Sequence, residues 1–428
     1  MIAFDEARSV ADAVLYEGYL LYPYTASATK NHMRWQFGVV VPRAYAALGN
    51  GESASVFSEL LLRDATPAAR LSLRLRFLRV QQRSVERSGG DAFVPVDALR
   101  IGDDDYLSWD EAVAEEIPVE IDLPLASDTI VQFSLPEART VEPIHDASGT
   151  LRGRIVRHRD EVYGNVTIAS EPADGLRRIR VTVENDSSFA GRDRSSMLRK
   201  ALVSTHVLIG VESGAFMSLI DPPDEASASL LPCENEHLWP VLLQHTEADA
   251  HSSPLVLCSP IILYDFPEVA AQSRGDMFDA TEIDELLNLS VLSLSDREKR
   301  EARATDPAAR AIVDRAEQLA AGGLMSLHGT IRSFDDEQPS PGSGHVVVEG
   351  VPIERGSAVR LHPRRRADVW DMFVDGKDAH VQGVYEDMDG VAYIAVTVDD
   401  DPASELHEWY GRSLFFYCDE IEPLEART

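Results

Sequence analysis

The stretch RLSLRLRFLRVQ, residues 70–81, decides what kind of fold this chain can adopt. Leucine and phenylalanine occupy alternate positions from 71 to 77, and serine and arginine fill the positions between them. A side-chain period of two is that of a β-strand with one apolar and one polar face. The stretch therefore predicts a strand that places its apolar face against a core.

The surrounding sequence predicts further strands up to about residue 190. Alternating runs recur in LRGRIVRHRDEVYGNVTIAS (151–170) and LRRIRVTVEND (176–186), and FGVVVP (37–42) and TIVQFSLP (129–136) are apolar strand candidates. One helix is expected to interrupt them, because Ser108–Glu111 has the spacing of a capping box. This part of the chain is predicted to be β-rich.

After Ser195 the pattern becomes mixed, with strand candidates followed by three helix starts. Asp279 precedes the first helix, Ser295 and Glu298 form a capping box before the second, and Asp306-Pro307 places a proline at the first position of the third. The middle of the chain is therefore predicted to be mixed α/β.

The clearest boundary is DDEQPSPGSG (335–344), which lacks apolar periodicity and reads as a linker. We predict an α+β fold with a main region at 1–335, either one domain or two domains divided near 190, a linker at 336–344 and a small domain at 345–428. Five short strand candidates in that last domain suggest an SH3-like β-barrel.

The charge balance is strongly acidic, with 40 Lys and Arg against 72 Asp and Glu and a formal net charge of -32. Such a field repels phosphate backbones and anionic lipids, so nucleic acids and membrane surfaces are poor candidate partners. Three cysteines cannot form a disulfide framework in a chain this long, and no apolar run approaches the roughly 20 residues of a membrane helix. We expect a cytoplasmic protein without membrane insertion.

None of the common catalytic motifs is present in the sequence, neither a G-x-S-x-G elbow nor a Walker-type loop, H-E-x-x-H or G-x-G-x-x-G. Catalytic residues can be scattered along a chain, so this does not exclude an enzyme. The sequence leans towards a protein without catalytic activity.

A metal site is one interpretation of Cys233, His237 and Cys258, which lie near His245 and His251 in one short window. Nitrogen and sulfur ligands suit a zinc or nickel ion. The spacing matches no standard template, however, and the alternative is that Cys258 lies on a buried strand while the histidines occupy a polar loop.

An anion-binding rim is suggested by YEGYLLYPYTASATKNHMRW, residues 16–35. Its tyrosines fit a strand buried between layers, with hydroxyls that find hydrogen-bond partners, and basic and polar residues then crowd at one mouth. In so acidic a chain this rim suits an anionic ligand or the acidic tail of a partner. The candidate residues are Tyr22, Tyr24, Lys30, Asn31, His32 and Arg34.

A further candidate is Asp265. The apolar run that precedes it predicts a buried strand, and Asp265 lies where that strand should leave the core. A carboxylate there can act as a ligand or a base, or it can cap the next turn. The basic cluster Arg364–Arg366 and the acidic loop Asp399–Gly411 are weaker candidates for a partner and a cation, respectively.

Residues 15–42, 259–307, 362–373 and 399–416 resemble an uncharacterised, actinobacterial-type protein family encoded in uptake nickel–iron hydrogenase gene clusters. The resemblance brings no catalytic residues with it. It implies an accessory or assembly factor for a nickel–iron hydrogenase, with hydrogenase subunits or maturation proteins as partners. The alternative it leaves open is a metal-binding or hydrolytic enzyme of hydrogenase maturation, and a stress or storage protein is a third interpretation.

Overall fold

A computed structural model describes residues 4–32, 34–64, 69–90, 92–123, 127–173, 175–223, 233–244, 251–269, 277–278, 284–320, 346–348, 350–362, 376–386, 392–398 and 414–424. The chain divides into two compact units, 1–329 and 330–428. The linker predicted at 336–344 lies outside the described residues.

The helices of the first unit are α1 (Asp5–Tyr16), α2 (Thr29–His32), α3 (Arg43–Ala46), α4 (Arg194–Leu198), α5 (Asp284–Ser293), α6 (Asp296–Thr305) and α7 (Pro307–Ala320). Its strands are β1 (Ser55–Asp64), β2 (Arg70–Ser88), β3 (Phe93–Val96), β4 (Ala98–Ile101), β5 (Asp104–Leu107), β6 (Trp109–Asp122), β7 (Thr129–Leu135), β8 (Ala138–His145), β9 (Leu151–Arg159), β10 (Val162–Ala173), β11 (Leu176–Asn185), β12 (Val203–Glu212), β13 (Gly214–Met217), β14 (Asn235–Glu236), β15 (Trp239–Leu242), β16 (Ser252–Ser253) and β17 (Leu255–Ser259).

Two antiparallel sheets form the body of the first unit. One runs in the order β16-β13-β1-β11-β10-β7, with β14 beside β1, and the other runs β15-β17-β12-β2-β9-β8, with β3 and β6 beside β2. Both sheets send apolar side chains into one core, which joins Val181 and Phe216 of the first sheet to Leu73 and Ile209 of the second. The arrangement is a β-sandwich, and strands from both sides of residue 190 share each sheet.

The quoted stretch is part of β2, a strand of 19 residues. It pairs with β6 from Arg70 to Arg83, with β12 over its first half, and with β9 and β3 over its second half. The positions that alternate from Leu71 to Phe77 are buried in the sandwich core, as their period of two predicted. β2 is therefore a central strand of the second sheet.

Helices and loops cover the outer face of this second sheet as a third layer. Helix α1 presents Val10, Ala11 and Val14 to Leu208 and Leu257 of the sheet. The chain from Leu15 to Tyr45 and helices α4–α7 form a separate apolar cluster with Leu78 and Val80 of β2. The strand thus contributes to one core on each side of the sheet.

The helix predicted from Ser108–Glu111 is wrong, because Trp109 begins the 14-residue strand β6. The Ser108 hydroxyl donates to the Val96 carbonyl and accepts from the Val85 amide, so it stabilises strand ends rather than a helix start. Long-range pairing with β2 outweighs the local capping pattern here.

The strand predicted across the tyrosines of residues 16–24 is also wrong. Helix α1 runs to Tyr16, and turns follow from Glu17 to Ala28. Gly18 has a φ of +67°, and Pro23 has no amide hydrogen to give to a sheet, so this segment cannot join a ladder.

The two helix starts predicted after Leu294 are confirmed. Ser295 and Glu298 form both hydrogen bonds of the capping box of α6, and Pro307 is the first residue of α7. Asp279 lies outside the described residues. No helix within the described ranges is both long enough and apolar enough to cross a membrane.

The second unit contains β18 (Val346–Val348), β19 (Val351–Ile353), β20 (Ala358–Leu361), β21 (Asp378–Glu386), β22 (Ala392–Val398), β23 (Leu414–Tyr417) and β24 (Ile421–Pro423). Five strands follow the open order β23-β22-β21-β20-β24, and β18 pairs with β19 alone. The expected strands are present, but the described ones do not close into an SH3-like barrel. The fold is therefore α+β with β-structure dominant.

Burial of His206 in strand β12 predicts a loss of stability in mild acid. The ring is fully buried, and burial lowers the pKa of His206 from 6.5 to about 3, with nearby Arg76 adding to the effect. Between these values the unfolded chain binds a proton that the folded protein excludes. The unfolding free energy should therefore fall as the pH falls below 6.5, by up to ~1.4 kcal/mol per pH unit.

Urea unfolding of the wild type and of His206→Leu between pH 7 and pH 4 measures this contribution. The unfolding free energy of the wild type should fall more steeply with decreasing pH than that of His206→Leu. The same substitution at the exposed His145 serves as the control. Parallel pH profiles for the wild type and His206→Leu would contradict the prediction.

Candidate functional site

The predicted rim becomes a cleft in the structure, with a volume of about 390 Å³. The chain before β1 supplies one wall, the start of β6 supplies the second, and helix α4 with the residue after it supplies the third. We call it the Arg–Trp cleft and define it by Asn31, Arg34, Trp35, Trp109, Asp110 and Arg199.

Arg34 lies at the base of the Arg–Trp cleft and is only 5% exposed. Its guanidinium carbon is 3.7 Å from the ring centroid of Trp109 and 4.1 Å from that of Trp35, distances typical of cation–π contacts. The guanidinium also donates to the backbone carbonyls of Tyr19 and Asp110. Burial lowers the pKa of Arg34 to about 10, against the attraction of the carboxylates of Asp110 and Asp306, so it remains charged at neutral pH.

Asn31 fixes the turn beside Arg34 rather than pointing to a ligand. Its side-chain amide donates to the carbonyls of Leu21 and Thr25 at 2.9 and 3.0 Å, and its oxygen accepts from the Leu21 amide at 2.9 Å. These bonds close the loop that the tyrosines begin. Asn31 is therefore a positioning residue for this wall of the cleft.

Tyr22 and Tyr24 anchor the same loop to the helical layer. The Tyr24 hydroxyl donates to the Met277 carbonyl at 3.0 Å and the Tyr22 hydroxyl to the Ser290 carbonyl at 3.3 Å. The predicted hydroxyl partners are thus present, although the predicted strand is not. Both tyrosines belong to the apolar cluster of the third layer, either inside it or packed against it.

Tyr19 joins the loop to the start of α7. Its hydroxyl donates to the buried carboxylate of Asp306 at 2.9 Å. Burial, followed by the negative charge of Asp306, raises the pKa of the Tyr19 hydroxyl. The proton therefore stays on the tyrosine and maintains this hydrogen bond.

Arg83, on strand β2, connects the Arg–Trp cleft to helix α6. It donates to Glu111 at 3.0 Å and to the carbonyls of Leu107 and Thr305 at 3.0 and 2.6 Å. Thr305 ends α6, where unpaired carbonyls favour a cation. Arg83 thus holds the helical layer on the sheet.

Three N–H donors of the cleft residues find no acceptor among the described residues. They are the indole nitrogens of Trp35 and Trp109 and Nε of Arg199, and all three atoms are buried. Buried donors in folded proteins almost always have a partner, so an unpartnered group marks a place for water or a ligand. Here three donors occur in the walls of one cleft.

Lys30 contributes less to the cleft than the sequence predicted. Lys30 is exposed on helix α2 and is not among the residues that line the cleft. His32 is described only by its backbone, as the last residue of α2. Of Lys30 and Arg34, only the buried Arg34 lines the cleft.

Asp265 lies outside the Arg–Trp cleft and has structural partners. Its carboxylate accepts from the Ser218 hydroxyl at 2.5 Å and from the Leu242 amide at 2.8 Å. These contacts join Asp265 to Ser218 after β13 and to the end of β15, and its role as a ligand or base and its capping of the next turn both stay predictions. Beside it, Ile262 and Tyr264 are 80% and 85% exposed, an unusual exposure for large apolar side chains.

The proposed metal ligands are not gathered into one site. The described residues contain no group of three or more His, Cys, Asp or Glu side chains that could hold a metal ion. Cys258 lies in the sandwich core, Cys233 packs at the edge of a small cluster with Leu61, and His237 is exposed. His245 lies outside the described residues, as do Arg364–Arg366 and Asp399–Gly411.

A larger cavity of about 680 Å³ lies on the other side of Arg83, between β5 and helices α6 and α7. Its walls mix both charges, and Arg303 already binds Asp314 at 2.8 Å and Glu317 at 2.6 Å. These ion pairs occupy N–H donors of Arg303. Arg303 therefore differs from the Arg–Trp cleft, where three buried N–H donors have no acceptor among the described residues.

The sequence missed Trp109, Asp110 and Arg199 as site residues. The sequence predicts a helix at Trp109 and Asp110, and Arg199 lies in a segment whose sequence shows only a short helix pattern. A tryptophan beside two carboxylates at Ser108–Glu111 was the available signal, but only the pairing of β6 with β2 brings it to Arg34.

Arg34→Ala should destabilise the protein by about 3–5 kcal/mol, because it removes a buried cation and leaves two carbonyls and two indole faces without it. Lys30→Ala should change the unfolding free energy by less than ~0.5 kcal/mol, since its side chain is exposed. Urea unfolding of the two variants compares them. Equal and small effects would show that Arg34 is a surface residue.

Cys258 should resist alkylation in the folded protein. Burial raises the pKa of the Cys258 thiol to about 12, despite a hydrogen bond with Ser58, and the thiolate is the form that reacts or binds metal. Iodoacetamide at pH 8 should therefore modify Cys258 only in urea, as read by peptide mass spectrometry. Cys258 alkylation in the native state at the rate seen in urea would contradict this placement.

Comparisons with known proteins assign the chain to no family. No family model matches it, and no curated protein matches it. Among solved structures, the Salmonella SPI-1 type III secretion injectisome secretin InvG in the open gate state matches at 9% identity with a TM-score of 0.08. That match covers 56% of this chain and 67% of the secretin chain, and so low a score carries no argument about fold or function.

Proposed function

We propose that this protein is a non-catalytic accessory or assembly factor for a nickel–iron hydrogenase, and that it acts in the cytoplasm by binding a hydrogenase subunit or maturation protein. The observation that supports a binding role is the Arg–Trp cleft, where three lining side chains carry buried N–H groups that have no acceptor among the described residues. The hydrogenase context comes from the sequence resemblance alone.

The cleft is built as a binding site rather than an incidental gap. Its donors belong to side chains held rigidly, since Arg34 contacts both indole rings and Asn31 locks the loop in front of them. Preorganised donors lose little freedom when a ligand binds, which favours affinity. A cleft of about 390 Å³ admits one or two side chains of a partner.

The resemblance and the cleft involve the same part of the chain. Residues 15–42, which resemble the hydrogenase-linked family, contribute Asn31, Arg34 and Trp35 to the cleft. The second such segment, 259–307, contains the exposed Ile262 and Tyr264. Large exposed apolar side chains are frequent at protein–protein contacts, which is consistent with a binding role.

Affinity purification tests this proposal. The tagged full-length chain is isolated from its native host grown on hydrogen, with the untagged strain as the control, and the retained proteins are quantified by mass spectrometry. Hydrogenase subunits or maturation proteins should be retained at near-stoichiometric amounts. Retention of neither class above the untagged control would refute the hydrogenase assignment.

A further inference from the structure

The guanidinium of Arg199 uses only part of its hydrogen-bonding capacity. Its Nη2 faces both carboxylate oxygens of Asp110 at 3.3 Å, while its Nε is buried and has no acceptor among the described residues. A guanidinium holds a carboxylate best when Nε and Nη2 each donate to one oxygen at about 2.7–2.9 Å. We call the Nε–Nη2 pair of Arg199 its fork. The Asp110 carboxylate does not form the two-donor contact that this fork allows.

Two tryptophans that line the same cleft as Arg199 carry the other unpartnered donors. The indole nitrogens of Trp35 and Trp109 can only donate, and the side chains that carry them are 5% and 9% exposed. A ligand that satisfies all three donors must present several oxygen acceptors and need present no donor. Carboxylates and phosphates meet this requirement.

Charge distinguishes a carboxylate from a phosphate at this place. The carboxylates of Asp110 and Glu111 lie at the start of β6, and Arg83 already donates to Glu111. With the protein's net charge of -32, a phosphate dianion meets about twice the repulsion that a carboxylate meets. A planar group with two oxygens also matches the Arg199 fork.

We infer that Arg199, Trp35 and Trp109 form a subsite for a carboxylate group, an Asp or Glu side chain of the partner protein, and that Asp110 occupies this subsite in the free chain. The incoming carboxylate displaces Asp110 from Arg199 and takes both donors of the fork. Asp110 thereby competes with the partner and sets the affinity of the site. The inference rests on the proposed function for the source of the carboxylate.

The test uses the full-length chain labelled with ¹⁵N at tryptophan and the peptide acetyl-Glu-Glu-Glu-Glu-amide as the probe. Titration should shift the indole N–H resonances of Trp35 and Trp109, assigned by Trp→Phe variants, and leave that of Trp239 in place. The glutamine peptide of the same length should cause no shift, and inorganic phosphate should bind at least tenfold more weakly.

Two variants examine the roles of Arg199 and Asp110. Arg199→Lys should weaken peptide binding about tenfold, because an ammonium cannot form the fork, and Asp110→Asn should strengthen it by a similar factor, because the competing charge is gone. Arg70→Lys, at an exposed arginine on β2, is the matched control and should leave the affinity unchanged.

Unchanged affinity in both Arg199→Lys and Asp110→Asn would overturn the inference, as would equal binding of the glutamine peptide. Equal or tighter binding of phosphate would overturn the choice of a carboxylate. The outcome for the proposed function is independent of this test. The peptide can bind as described while no hydrogenase protein is retained. Conversely, hydrogenase proteins can be retained by a chain that does not bind the peptide.

Discussion

The pairing of strand β2 with neighbours on both of its edges is the constraint on which the rest of the first unit depends. Its ladder with β6 runs from Arg70 to Arg83, and β12 and β9 share the other edge. A strand with neighbours on both edges hydrogen-bonds its backbone amides and carbonyls along its length, and both of its faces are buried. One face completes the sandwich core and the other supports the helical layer.

Buried arginines are the consequence of this placement. Arg76, Arg79 and Arg83 are each at most 6% exposed, and each binds a carboxylate or backbone carbonyls of a neighbouring element. A buried charge is tolerated only when its hydrogen bonds are supplied in this way. Arg83 in particular holds the end of α6 against the sheet, and so places α6 and α7 beside the loop that carries Arg34.

The sequence predicted what depends on local patterns. The strand at residues 70–81, the capping box of Ser295 and the proline at the start of α7 are all recognised from neighbouring residues, and all three are confirmed. The predictions from sequence were wrong where pairing between residues distant in the chain determines the secondary structure. The Ser108–Glu111 pattern is a helix signal in isolation, but fourteen residues of ladder with β2 make it a strand.

The candidate site shows the same division. The sequence identified Asn31 and Arg34 from their basic and polar surroundings, yet it placed them on an exposed rim, because nothing local shows that Arg34 packs on two tryptophans 74 residues apart. Trp109 and Arg199 reach the cleft only through the sheet and α4. Cys258 illustrates the reverse case, since the alternative of a buried strand was already visible in the sequence around it.

We propose above that donors of the Arg–Trp cleft bind a carboxylate from outside the chain. A crystal structure of the full-length protein soaked with sodium glutarate tests it most directly. We expect a glutarate carboxylate on Nε and Nη2 of Arg199, with the two indole nitrogens donating to ligand oxygens or to water bound to the ligand, and Asp110 turned away. A structure in which protein atoms already accept from both indoles, with Asp110 unmoved on Arg199, would contradict it.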